Sequence, residues 1–374
     1  VAILIFIVLI VFTGVFLVRR GWLDGPRYVE LIGGGAFTSL GALTAAMLLY
    51  WRWSVDHKTQ VKRHREQERN KRQEKMGERT AQAVNHLGQG QGFMQVSGLI
   101  ELAGLVDDWW SIGNEMLRDI PDADHAERKA VSAMIKLRRQ EIIDLMFKHT
   151  LQPDSLGEDE RGGSAETQRR TMVQDARSQI LIAHLPAPDE AGNVDDESWA
   201  QLDLSHAYLV NAKLEGAHLR KANLQRAQLA GADLTAADLT GANLERATMV
   251  DSNTHRAKLT GADLTAVDLT NAEMMYTNLT KATLRISTLR NANLTQATIT
   301  QADFCSADLT GAKLRTVKID GTHLQWANLT DARLDRFYKG SPRYSDDTQF
   351  PRYYNPETAG FTRTERDPWG DPPD

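Results

Sequence analysis

The side chains able to do chemistry are few in this sequence and poorly spaced for it. A single thiol, Cys305, serves a chain of 374 residues. A nucleophilic cysteine needs a cation or base beside it to form thiolate, and its local run Asp303-Phe304-Cys305-Ser306 supplies neither. The position directly follows a large apolar residue, so the thiol is expected to point outward and to be unreactive. His86, His149 and His184 have no metal-ligand spacing among them and no cysteine near them. Asp107 and Asp108 are adjacent carboxylates, but Trp109 and Trp110 follow and no partner group does; helix-end and solvent roles fit them. No nucleophile–base pair and no glycine-rich phosphate loop before a helix is present. The residues predict no enzyme, no cofactor and no metal. One cysteine excludes an internal disulfide framework, which fits a reducing compartment. A net charge of -5 is mild for this length and points neither to a nucleic-acid binder nor to a strongly acidic mimic.

The elements that carry these residues fall into unlike segments. Residues 1–53 predict a transmembrane helical hairpin. Val1 to Val18 holds no charge, and Arg19-Arg20 stands where a signal peptide would carry its small-residue cleavage site. The chain begins without Met, so upstream residues are expected. A second span, Tyr28 to Tyr50, carries one charge, Glu30, and a small-residue face of Gly34, Thr38, Ala42 and Ala45 suited to close packing on Gly14 or on a second copy. Trp22, Tyr28, Tyr50, Trp51 and Trp53 sit where interfacial aromatics belong. Arg52 to Arg79 holds ten Lys/Arg against Arg19, Arg20 and Arg27 between the spans. The positive-inside rule then places residues 54–374 in the cytoplasm, anchored in the cell membrane.

Residues 54–79 predict a charged juxtamembrane helix with pairs such as Glu68–Arg72 and some contact with anionic lipid. Residues 80–186 predict helices and a linker. Val96 to Val106 reads as one amphipathic helix ending near Asp107-Asp108-Trp109-Trp110, Ala126 to His149 as a second, and Thr167 to His184 as a third. Pro121 separates the first two. Leu151 to Glu166 is a polar linker, and 187–201 an acidic one.

From Leu204 to Leu334 one position in every five holds the same kind of residue, without insertion. Of these 27 positions 21 are Leu, and the residue two before is Ala in 20. The exceptions at the large position are Met249, Thr254, Met274, Ile299, Phe304 and Ile319. A five-residue period fits neither helix nor flat strand nor a heptad. Four fives make one square coil: the large and small residues point inward and the other three outward. At strand spacing of about 4.8 Å, nearly seven coils give a rod roughly 32 Å long. Leu204, Leu234, Leu239, Leu264, Leu269, Leu294, Phe304, Leu309 and Leu329 are core positions on this register. Asp233, Asp238, Asp263, Asp268, Asp303 and Asp308 are outward structural positions. Thr254 breaks the pattern at Ser252-Asn253-Thr254, where a buried hydroxyl would cost about 1–3 kcal/mol if unpaired; a local bulge or a bond from Thr254 to backbone is expected.

Runs such as Gly231-Ala232-Asp233-Leu234-Thr235 and Gly261-Ala262-Asp263-Leu264-Thr265 resemble the pentapeptide-repeat family, with its A-(D/N)-L-X-X motif. The resemblance implies a right-handed quadrilateral β-helix over residues 202–336. The fold class is thus a mainly β solenoid preceded by a two-helix transmembrane hairpin and an α-helical segment. The stretches around Glu78 to Gly88 and Gly98 to Trp109 resemble the HEAT-like helical segment that precedes such repeats in actinobacterial membrane proteins. Tyr344 to Pro351 with Asn355 to Gly360 resembles a closing segment, so 337–374 is read as a C-terminal cap with a disordered tail.

Some family members resemble DNA in shape and charge and bind type II topoisomerases. Residues 201–336 hold 14 Asp/Glu and 15 Lys/Arg, a net of +1, so inhibition or protection of a topoisomerase by DNA mimicry is the alternative and not the first reading. A basic stripe for nucleic acid is missing too. Side chains twenty residues apart should stack. Arg226 and Arg246 share a column with Ile286 and Trp326, and Arg256 should meet Tyr276 in a cation–π contact. These residues and Met275 are the candidate contacts for a protein partner. The expected function is a membrane-anchored, non-catalytic scaffold, its partners being a protein at the membrane, the bilayer through residues 1–53, and a second copy in a homodimer.

Overall fold

The computed structural model describes residues 36–89, 91–120, 125–148, 163–185, 203–334 and 340–364. The chain divides into two compact units, Val1–Met76 and Gly77–Asp374, taken here one at a time.

Helix α1 (Ala36–Gly88) is continuous across the boundaries expected at 53/54 and 79/80. Its interior is rich in Arg, Lys, Glu and Gln, which lose little rotamer freedom in a helix, and no proline interrupts it. In the first unit Arg52 pairs with Asp56 and Lys71 with Glu68, while Trp53 stacks on His57 at 5.1 Å. Among the described residues no helix is long and apolar enough to cross a membrane. This corrects the expected transmembrane hairpin and the integral-membrane location built on it. The Val1 to Val18 span and residues 28–35 of the second expected span lie outside the described residues.

In the second unit α2 (Gly92–Asp119), α3 (His125–Phe147) and α4 (Gly163–Ala183) pack together, α2 touching both others. Leu99, Leu102, Leu105 and Val106 of α2 are buried with Ile135, Ile142, Ile143 and Met146 of α3 and Val173 and Leu181 of α4. Helix α2 does not end at Trp110. Its apolar stripe goes on through buried Trp109, Gly113 and Met116. Gly113 admits the Ile135 side chain; a Cβ there would lie 2.2 Å from Ile135 Cδ1. Arg128 Nη1 donates to the carbonyls of Leu117 and Ile120 and closes the end of α2.

The repeat forms a parallel β-helix with four five-residue sides per coil. Bridges join the residue before each large core position to the one twenty further on, from Asp203↔Asn223 through Lys313↔Arg333. At nearly every corner an amide bonds back three residues, as Ala207 N–H does to Leu204 C=O at 3.1 Å. The third residue of each such turn has positive φ, from His206 (59°) to Asp331 (58°). Leu204, Leu234, Leu239, Leu264, Leu269, Leu294, Phe304, Leu309 and Leu329 line the core with essentially no exposed surface.

Ser and Thr at the small position are accommodated through their hydroxyls. Ser252 and Ser287 donate to the carbonyls of Met249 and Leu284 on their own coil. Thr277 and Thr322 donate to Thr254 and Ile299 on the coil before. Thr254 causes no bulge: its amide bonds Glu273 C=O at 2.8 Å in the regular ladder. Its hydroxyl meets not backbone but the Thr277 hydroxyl, at 3.3 Å. Since the Thr277 proton is engaged with Thr254 C=O at 2.7 Å, Thr254 is the donor of that pair.

Both ends of the rod are covered, as edge strands require. At the first coil, Gln140 of α3 brackets Asp203, accepting its N–H and donating to its C=O, and Tyr208 N–H donates to Phe147 C=O at 2.7 Å. Ser178 of α4 accepts the Lys213 N–H. At the last coils β1 (Arg343–Tyr344) pairs in parallel with β2 (Thr362–Arg363). The pairing Asn328↔Gln349 is one residue longer than the repeat. Tyr344, Phe350, Tyr354 and Phe361 pack ring to ring over this end.

Candidate functional site

The repeat's polar position is a turn-former. In A-(D/N)-L-X-X the Asp or Asn side-chain oxygen accepts the amide two residues on, as Asp233 does from Thr235, Asn253 from His255 and Asp308 from Thr310. The following Thr hydroxyl often adds a second bond to the same oxygen, as at Thr265 and Thr270. Burial pushes the Asp238 carboxyl up, but Thr240 and the nearby Arg220 and Lys258 outweigh it and hold the group below the ordinary carboxylate range. Arg290 and Thr310 do the same for Asp308 against its burial. These carboxylates are committed to structure.

What the rod offers outward is set by corner columns. Arg226, Arg246, Ile286 and Trp326 do lie on one corner, each at positive φ and twenty residues or a multiple apart. Tyr276 and Arg256 lie on another, two corners away around the coil and therefore diagonally opposite. The predicted contacts thus form two separate sets. Tyr276 and Ile286 are 45% and 43% exposed, Met275 and Trp326 are half-buried, and Arg226, Arg246 and Arg256 are exposed. The Tyr276 corner is organised: the Arg256 guanidinium lies 5.8 Å from the ring centre, and His255 meets it edge-on at 5.3 Å. The sequence pointed to the arginine; His255, one residue before it, was missed.

The helical unit holds a cleft of about 470 Å³ lined by Asp107, Trp110, Ser111, Asn114, Glu115, Arg118 and Arg139. Two of its charged groups are engaged with neighbours. Arg139 stands 4.9 Å over Trp110, and Asp107 accepts from His184 Nε2 at 3.0 Å. His184 Nδ1 also faces an acceptor, Ile180 C=O at 2.7 Å, so both ring nitrogens are set to donate. The bond to Asp107 raises the imidazole pKa above its usual value, against the opposing pull of burial. Asp108 pairs with Arg79, and His86 with Glu101. The His149 position lies outside the described residues. The thiol of Cys305 does not point to solvent as expected; it is 1% exposed, because Gln325 on the next coil covers it at 3.4 Å.

A closed-ended solenoid of stacked square coils, with its Leu positions inward and its Asp and Asn side chains spent on turns, is a repeat-built rod. The pentapeptide-repeat family model matches in eight copies over residues 201–235, 227–265, 251–285, 287–325 and 300–336, and the chain is a pentapeptide-repeat protein. Similar solved structures include HetL, a pentapeptide-repeat protein involved in heterocyst differentiation regulation in the cyanobacterium Nostoc sp. strain PCC 7120. It is 30% identical over 38% of this chain and 70% of its own, with a TM-score of 0.18. A second Nostoc pentapeptide-repeat protein is 30% identical over 30% of this chain and 84% of its own, at 0.16. QnrB1, a plasmid-mediated fluoroquinolone resistance protein, is 11% identical over 45% of this chain and 83% of its own, at 0.31. No curated protein is similar enough to match.

Proposed function

We propose that this chain is a non-catalytic binding scaffold whose rod presents a fixed array of side chains to a protein partner. The observation that carries this is the Tyr276 corner. A bulky aromatic is held exposed at φ 60°, where a non-glycine residue costs roughly 1–2 kcal/mol, with Arg256 against its face and His255 at its edge. Tyr and Arg are the anchors enriched at interface hot spots, and a rigid corner adds little ordering cost on binding. The near balance of 14 acids and 15 bases over 201–336 weighs against topoisomerase protection by DNA mimicry. The test is photo-crosslinking in cells from a benzoylphenylalanine placed at Tyr276, compared with one at Asp331 on a different corner. The scaffold reading expects a discrete adduct from Tyr276 alone. Equal or no adducts from the two sites would refute it, and dose-dependent relief of quinolone-inhibited gyrase by the full chain would establish the alternative.

A further inference from the structure

Two neighbouring coils bring four donors of different chemistry into one block. Asp303 and Cys305 flank core residue Phe304 on one coil. His323 and Gln325 flank Leu324 on the next, with Asp303 bridged directly to His323. One ligand atom from each of Asp303, Cys305 and His323 lies within 4.8 Å of the other two. Gln325 Oε1 is 3.4 Å from Cys305 Sγ, and its orientation is fixed because Nε2 donates to Thr364 Oγ1 at 3.2 Å. His323 Nδ1 is buried and makes no hydrogen bond to protein, which leaves it open to a ligand, water or ion.

We propose that Asp303, Cys305 and His323 form a site for a thiophilic divalent cation of the zinc class, with Gln325 Oε1 or water as fourth ligand. The donor set decides the class. Magnesium and calcium take oxygen ligands, whereas thiolate, imidazole and carboxylate together suit Zn²⁺. Metal–ligand bonds of about 2.0–2.3 Å put tetrahedral donors about 3.3–3.8 Å apart, so side-chain rotation of about an ångström closes the set. Thiolate and carboxylate together neutralise a divalent ion. Binding breaks the S–H bond, forms the S–metal bond and releases the proton to solvent. The Asp303 carboxylate now accepts the Cys305 amide through Oδ1 and lies 3.4 Å from Arg285 through Oδ2; Arg285 is therefore a competitor of the cation. Asp303 and His323 are partly exposed on the rod face and give the ion its way in.

The test is a titration of the full chain with Co²⁺ as probe, followed by sulfur-to-cobalt charge-transfer absorption. The expected result is one equivalent bound, a thiolate band, and displacement by Zn²⁺. Cys305→Ser should abolish the band, His323→Gln should weaken binding at least tenfold, and Arg285→Met should tighten it, all with the wild-type β-helix circular dichroism. His323 ring resonances should shift with Zn²⁺ while those of His218 stay put. His218 takes the same register position with an equally unpartnered Nδ1 and no thiol beside it. Absence of the band in wild type, its survival in Cys305→Ser, or unchanged affinity in His323→Gln would overturn the site. Two variants at separate ligands keep the outcome readable if one fails to fold.

Discussion

Thr277→Val should destabilise the rod more than Thr254→Val, although the same hydroxyl pair is broken in each. Both residues are fully buried, and Val is close to isosteric with Thr. In Thr277→Val the Thr254 hydroxyl loses its acceptor at 3.3 Å and stays buried as an unpaired donor, while Thr254 C=O keeps the Ala257 amide at 3.0 Å. A stranded donor costs about 1–3 kcal/mol. In Thr254→Val the Thr277 hydroxyl keeps its bond to Thr254 C=O at 2.7 Å, so only one long contact is lost and the change should lie within about 1 kcal/mol of zero. The double variant has no stranded donor and should recover most of the Thr277→Val loss, a coupling of about 1–2 kcal/mol. Urea unfolding of the full chain, followed by far-ultraviolet circular dichroism, measures all four corners of the cycle. Equal losses in the single variants, or additivity in the double, would refute the assigned direction of the hydroxyl bond.

Leu264→Arg should collapse the β-helix cooperatively, costing more than about 4 kcal/mol for an unpaired buried charge, whereas Asp263→Ala, which loses turn bonds to Thr265 in an exposed setting, should cost about 1 kcal/mol; unfolding midpoints compare them. Ile286→Asn should leave stability unchanged or raise it by up to about 1 kcal/mol, because a β-branched side chain at φ 50° gives way to one that tolerates the left-handed region; a thermal midpoint that falls would contradict the strain at this corner. The His184 pKa is raised in the folded chain, so its stabilising contribution should be complete below the unfolded value of about 6.5 and fade as pH rises through the higher folded value. Urea midpoints between about pH 5 and pH 9 should show this loss in the wild type, and Asp107→Asn should flatten it.

The coil geometry was readable because one large residue in five fixes both the inward direction and, through four sides, the twenty-residue stacking. That register alone places Arg256 beside Tyr276, where its guanidinium lies. What it hid depends on the neighbouring coil. Thr254 finds its partner 23 residues away, one coil and three residues on, which no local pattern marks. Cys305 is outward by register yet buried, since Gln325 stacks over it. His323 and Asp303 are twenty apart, a spacing that no familiar metal motif uses. Corner membership was legible too, but the two contact sets were not seen to be diagonal. In the helical part, hydropathy suggested spans where propensity instead carries α1 through to Gly88. The stripe of α2 outlasts Trp110 because Gly113, weakly apolar in sequence, is a deep packing position against Ile135.

The central claim is that the rod acts by binding through the Tyr276 corner. Calorimetric titration of the crosslinked partner against wild type and Tyr276→Asn tests it most directly, since Asn suits the same backbone and leaves the fold intact. The account predicts at least a tenfold loss of affinity, as for a hot-spot aromatic, with an unchanged unfolding midpoint. Affinity unaltered by the substitution would contradict it.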